Sequence, residues 1–202
     1  MPKPVTDINL SHVTSIGDYA FNELQKLRNV DLSSVVEIGD HAFTNCQSLT
    51  ALSLPNVETI GAMAFYYCQG LEEVILGEGI TDIPAYAFAG CEKLSAINLD
   101  QVESIGEAAF ALCSSLAEVD LSSVETIGER AFEENYSLSD INLSSAKLIG
   151  DRAFADCETL TEVDLRSATE IGDTPFTGAR QSRRSRLGII CKITVITCSK
   201  TC

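Results

Sequence analysis

Every phenylalanine in the chain falls on one register: Phe21, Phe43, Phe65, Phe88, Phe110, Phe132, Phe154 and Phe176 follow one another at 22 residues, with a single interval of 23. An isoleucine stands five residues before each of them, from Ile16 to Ile171. A glycine follows that isoleucine in every copy but one, where Pro84 takes the place. Self-similarity at a period between about 20 and 50 residues marks a solenoid or array, in which one unit cannot bury its apolar face alone and stacking supplies the core. The register therefore predicts about eight rungs, rather than one or two globular domains, within the 202 residues.

Two apolar signals recur in each rung. The first is L-x-x-[VIL]-x-L, as in Leu27/Val30/Leu32, Leu71/Val74/Leu76 and Leu116/Val119/Leu121. Alternation about a β-branched centre predicts one short strand per rung. Such strands, stacked about 4.8 Å apart as a parallel sheet, would build a rod roughly 40 Å long. A short turn then leads to an aliphatic residue (Val13, Val35, Val57, Ile80, Val102, Val124, Ala146 or Ala168) and, three residues on, to the signature isoleucine. Both are expected to enter the core from the opposite wall.

An acid follows the glycine in most copies, at Asp18, Asp40, Glu107, Glu129, Asp151 and Asp173. An acid there would complement the free N–H groups that open a helix, so one turn of α- or 3₁₀-helix per rung is expected. Proline cannot adopt a positive φ, so Pro84 in the glycine slot implies that these glycines are not conformational necessities. They are read instead as small residues that let rungs approach, or that simply open the helical turn. The extra residue of the 23-residue interval falls near Gly77–Ile80, where a bulged turn would absorb it.

Cys46, Cys68, Cys91, Cys113 and Cys157 each lie three residues after a repeat phenylalanine, and Leu24 and Asn135 take that slot in two other rungs. Exchange with leucine suggests a small buried apolar group rather than a bonding role. Disulfides linking Cys46 to Cys68 or Cys91 to Cys113 stay open as alternatives in an oxidising compartment. A zinc site does not fit, because four ligands must converge on a point whereas a ladder spreads them along a line.

Taken together, the unit running from the L-x-x-[VIL]-x-L segment to IGxxAFxxC resembles the BspA-like, or Treponema-type, leucine-rich repeat family over about residues 5 to 179. Val35, Val57 and Val124 stand where ordinary leucine-rich repeats carry Asn or Cys, which favours this subclass. The resemblance implies an α/β repeat solenoid, a right-handed leucine-rich-repeat rod. In many members it also implies cell-surface adhesion to host matrix proteins or other cells.

Formal net charge is −15, unevenly spread: residues 1 to 176 hold all 29 acids, whereas residues 177 to 202 hold six basic residues and no acid. An acidic rod disfavours nucleic acid and anionic membrane; it suits basic partners or divalent cations, or serves solubility alone. No apolar run approaches the roughly 18 residues of a membrane helix, so no membrane insertion is expected. The opening MPKPVTDINL lacks the apolar core and cleavage pattern of a secretory signal, and Val5, Ile8 and Leu10 already match Leu27, Val30 and Leu32. The chain is thus expected to begin inside a rung, without a visible cap, and only the resemblance speaks for a secreted or surface location. The solenoid is predicted over residues 1 to 179. Residues 180 to 202, with Arg180, Arg183, Arg184 and Arg186 followed by Cys191, Cys198 and Cys202, read as a basic, poorly ordered tail. A strand-forming cap and sequence foreign to the repeat are the other two readings.

Side chains at the second and fourth positions between the strand leucines should face away from the core. They form two columns, one running Asp7, Asn29, Ala51, Glu73, Ala96, Glu118, Asp140, Glu162 and the other Asn9, Asp31, Ser53, Ile75, Asn98, Asp120, Asn142, Asp164. Glu118, Asp120, Asp140, Asn142, Glu162 and Asp164 are the candidate partner-binding patch, suited to a Lys- or Arg-rich segment or, loosely, to Ca²⁺. A solvated acidic face is the plainer alternative. No catalytic constellation is legible: His12 and His41 occupy variable positions without a nearby nucleophile, and the recurring Ile-Gly is explained by the repeat rather than by a phosphate cradle. No cofactor is implied. The expectation is a non-catalytic module that binds an unidentified protein, basic or of the extracellular matrix. The alternative is a structural spacer that associates end to end.

Overall fold

A computed structural model of the protein describes residues 3 to 179 and the backbone of a strand at Gly188–Ile190. Each rung contributes two short strands. On one face lie β1 (Asp7–Asn9), β3 (Asn29–Asp31), β5 (Ala51–Leu54), β7 (Glu73–Leu76), β9 (Ala96–Ile97), β11 (Glu118–Val119), β13 (Asp140–Ile141) and β15 (Glu162–Asp164). On the other lie β2 (Ser15–Ile16), β4 (Glu37–Ile38), β6 (Thr59–Ile60), β8 (Asp82–Ile83), β10 (Ser104–Ile105), β12 (Thr126–Ile127), β14 (Leu148–Ile149) and β16 (Glu170–Ile171). Within these two series all pairing is parallel and one repeat apart, with Ile105 opposite Ile127 and Leu52 opposite Val74. The second strand was not expected. It is two residues long, too short for an alternation to show in the sequence.

The core between the two faces is a column of stacked phenylalanines. Consecutive rings from Phe21 to Phe176 lie 5.2–5.5 Å apart, and six of the eight side chains are wholly buried. Burying each ring contributes about 1.5–3 kcal/mol, and offset stacking adds about 0.5–1.5 kcal/mol per pair. Leucines two residues before the first strand and isoleucines from the second close the column on either side, Leu49, Leu71, Leu94, Ile105 and Ile127 all being fully buried.

The expected helical turn is absent: no helix occurs among the described residues. Two residues per rung, two before and two after the phenylalanine, hold a positive φ instead. Tyr19, His41, Met63, Tyr86, Ala108, Arg130, Arg152 and Thr174 occupy the first position; Glu23, Asn45, Tyr67, Gly90, Leu112, Glu134, Asp156 and Gly178 occupy the second. Each left-handed residue breaks the run of right-handed turns and aims an N–H along the rod, so that Tyr19, Phe21 and Glu23 donate to the carbonyls of Asp40, Ala42 and Thr44 in the next rung. The fold is therefore an all-β solenoid rather than an α/β one. Aspartates after the glycine serve the same joint, since Asp18 Oδ1 accepts the N–H of Asp40 at 2.9 Å and Asp40 Oδ1 that of Ala62 at 2.8 Å.

From the second rung onward the glycines owe their place to close approach, one of the two readings the sequence left open. A β-carbon on Gly39 would lie 2.6 Å from Asp18 Oδ1 and 2.7 Å from the Asp18 nitrogen, distances that real β-carbons do not tolerate. Each such glycine also donates its N–H to the isoleucine carbonyl one rung earlier, as Gly61 does to Ile38 at 2.7 Å and Gly106 to Ile83 at 2.8 Å. Pro84 has no N–H to give. The second sheet accordingly divides there, into β2-β4-β6 and β8 to β16. The first sheet divides at other joints, between β3 and β5, β9 and β11, and β13 and β15.

Apart from β17 (Gly188–Ile190), which pairs with β15 and sets Ile189 opposite Val163, the basic region beyond residue 179 lies outside the described residues.

Candidate binding groove

Because the strand alternates, the leucines and their β-branched centres point into the column and the residues between them point out. Glu118, Asp120, Asp140, Asn142 and Glu162 are exposed, while Asp164 is half-buried. Glu118 stands directly opposite Asp140 in the β11-β13 pair, so two like charges share one joint. Asp140 and Glu162 are not so paired, because the sheet divides between β13 and β15.

Four of the six candidate residues line one open groove of about 660 Å³: Glu118, Asp120, Asp140 and Asn142. The groove reaches in the other direction to Glu73, Ile75 and Asn98, which the candidate patch omitted. Ile75 is the missed residue of most consequence. It is half exposed, at 51%, in the middle of an otherwise polar column, and that substitution pattern was the signal available in the sequence. Glu162 and Asp164 lie outside the groove. Asp164 is engaged by its own turn: its carboxylate accepts the Arg166 side chain at 2.8–2.9 Å, and that contact holds its pKa below the usual carboxylate value.

The fourth outward position also shapes the turn that leaves the strand. Asp120 Oδ1 accepts the Ser122 N–H at 2.9 Å and Asn142 Oδ1 that of Ser144 at 3.1 Å, so one oxygen of each is committed locally. Asn98 differs. Its carboxamide turns back to the previous rung, accepting the Leu76 N–H at 2.7 Å and donating to the Leu76 carbonyl at 3.1 Å. Strand β9 ends one residue before it, and the groove opens at the adjoining division between β9 and β11. Among the described residues no three His, Cys, Asp or Glu side chains gather closely enough to hold a metal ion.

The cysteine slot has a bonding role that the sequence reading missed. Cys46, Cys68, Cys91, Cys113 and Cys157 donate their thiols to the carbonyls of Phe21, Phe43, Phe65, Phe88 and Phe132, at 3.2–3.4 Å, and Asn135 donates to Phe110 at 2.8 Å. Leu24 has no earlier rung to serve among the described residues. The five cysteines are free and buried, and burial pushes Cys46 up to about 11 and Cys113 and Cys157 up to about 12. His41 stacks on Tyr19 at 4.6 Å on the outer surface of the turn segments.

The family comparison agrees with this architecture. The family described as "BspA type Leucine rich repeat region" matches residues 3–101 and 81–197, in six copies, and the chain belongs to it. Its fold is similar to that of the Treponema pallidum leucine-rich repeat protein TpLRR, with a TM-score of 0.64 and 33% identity over 71% of this chain and 70% of that one. It is also similar to a leucine-rich repeat protein from Eubacterium ventriosum, with a TM-score of 0.61 and 24% identity over 91% of this chain but 45% of the other. The chain thus spans less than half the length of that second relative. A comparison with curated proteins finds no match.

Proposed function

We propose that this chain is a non-catalytic protein-binding module that holds its partner on the outward face of the first-strand sheet. The observation that carries the reading is the groove of about 660 Å³, in which the half-exposed Ile75 lies among Glu73, Glu118, Asp120 and Asp140. A lone exposed aliphatic is ordinary by itself, but one seated in a groove with a polar rim can form the apolar centre of a contact. Solenoids, moreover, present such surfaces on a scaffold whose rungs contact only their neighbours. Family resemblance adds adhesion as the role and extracellular matrix proteins as the partner class.

The test is surface binding to a panel of purified matrix proteins, using the full chain and its Ile75→Arg and Glu118→Lys variants, with light scattering of the chain alone across concentrations. Binding of a panel member that both variants lose supports the module. Absence of binding, together with particles that lengthen as concentration rises, would establish a self-assembling spacer instead.

A further inference from the structure

The groove coincides with a gap in the backbone ladder. Where the rungs of this face are joined, the residue after the first strand leucine donates its N–H to its counterpart one rung earlier: Arg28 to Thr6 and Glu72 to Thr50 at 2.8 Å, Ser95 to Glu72 at 3.0 Å, Ser139 to Ala117 at 2.9 Å. Ala117 makes no such bond to Ser95. Thr50 and Thr161 lack it too, at the other two divisions of the sheet, but the groove lies at the division between β9 and β11. Among the described residues, the Ala117 N–H and the Ser95 carbonyl at the groove's edge have no backbone partner. A segment that crosses this joint along the rod runs across the strands rather than beside one, so single main-chain bonds to these open groups can assist, while its side chains do most of the holding.

Charge selects the kind of segment. Every ion pair among the described residues lies elsewhere, on Glu125, Glu129, Glu133, Asp156 and Asp164, so Glu73, Glu118 and Asp140 face the groove without a lysine or arginine of their own. Glu118 and Asp140 are held opposite one another, a like-charge contact that a bound cationic side chain would relieve. Spacing selects its pattern. From β7, which carries Ile75, the groove crosses three joints to β13, about 14 Å at about 4.8 Å per joint. In an extended peptide, residues i, i+2 and i+4 face one side and span about 13–14 Å in steps of about 7 Å; the joints set Ile75 and Glu118 about 10 Å apart and Glu118 and Asp140 about 5 Å apart, so the long basic side chains take up about 2–3 Å at each step.

We propose, building on the reading of this face as a protein-binding surface, that the groove takes an extended segment of a partner protein with the pattern aliphatic-x-basic-x-basic. The aliphatic side chain packs on Ile75, and the two basic side chains meet Glu118 and Asp140.

The test is calorimetric titration of the full chain with a capped Ser-Val-Ser-Arg-Ser-Arg-Ser peptide and with a scrambled peptide of equal composition in which the alternation is lost. The patterned peptide is expected to bind about tenfold tighter than the scramble, and Glu118→Gln or Asp140→Asn to weaken it by about tenfold. Ile75→Ser should abolish the preference between the two. Equal affinity for both peptides, or affinity indifferent to all three substitutions, overturns the proposal by showing diffuse attraction to an acidic surface. A matrix protein whose binding is lost in Ile75→Arg, but with which the patterned peptide does not compete, would leave the binding face standing and remove only the basic segment.

Discussion

The Asn135 side chain donates to the Phe110 carbonyl at 2.8 Å, from the slot where five other rungs use a thiol. That carbonyl thereby gains a partner from the next rung, and the slot is defined by a donor aimed down the rod rather than by apolar volume. Asparagine fills it at a cost, since its own Oδ1 is buried without a partner.

Replacing Asn135 with cysteine should therefore stabilise the protein by about 1 kcal/mol or more, because a buried unsatisfied oxygen disappears while the bond to Phe110 is kept. Asn135→Leu removes the donor as well as the orphan and should fall below the cysteine variant by about 1 kcal/mol. Urea unfolding of the three proteins under reducing conditions gives the order directly.

The thiols also set an alkaline limit. Burial raises all five above their ordinary value of 9.0, Cys113 to about 12, so the folded state holds these protons more tightly than the unfolded chain does. Their contribution is complete below about pH 9 and is lost as pH rises towards the folded value, by up to about 1.4 kcal/mol per pH unit for each group. Melting temperature should fall steeply above about pH 9, and Cys113→Asn should show a shallower slope. Below that pH, thiol reagents should label these five cysteines in the native protein only as fast as it opens.

Glycine substitutions should separate the first rung from those stacked behind it. A β-carbon on Gly17 would meet nothing within 4 Å, whereas on Gly150 that atom would sit 2.6 Å from the Glu129 nitrogen and the Gly128 carbonyl carbon. Gly17→Ala should change stability by less than about 0.5 kcal/mol, and Gly150→Ala should cost about 1–3 kcal/mol through forced separation of the joint. Thermal unfolding of the pair is the measurement.

Glu118→Gln should raise stability by about 0.2–1 kcal/mol by removing repulsion from Asp140, its directly opposed neighbour. The gain should shrink in molar salt, where exposed charges are screened. A gain that persists at high salt would assign the effect to packing instead.

The phenylalanine register was legible because every rung carries it and only one interval departs from 22, and it carried the rung count and the core; the glycines were left between two roles, of which close approach is the one observed. The helical turn was misread for a physical reason. Tyr19, Met63 and Arg130 adopt a positive φ that no side-chain preference announces, and the bonds to the neighbouring rung are what hold them there. The cysteine role was hidden likewise, since a thiol donating to a carbonyl looks in sequence like any small buried residue. Of the groove, the acidic columns could be read directly. Its position could not, because that depends on Asn98 bonding backwards to Leu76 and on the sheet dividing at the next joint.

Those divisions are staggered. Where the first sheet parts, at β3/β5, β9/β11 and β13/β15, the second runs through; where Pro84 parts the second, β5 and β7 are joined over four residue pairs. The arrangement is that of bricks laid in running bond, with no seam passing through the whole wall. A load pulling along the axis therefore meets an intact course at every level, and the protein should yield by peeling from its ends rather than by snapping in the middle.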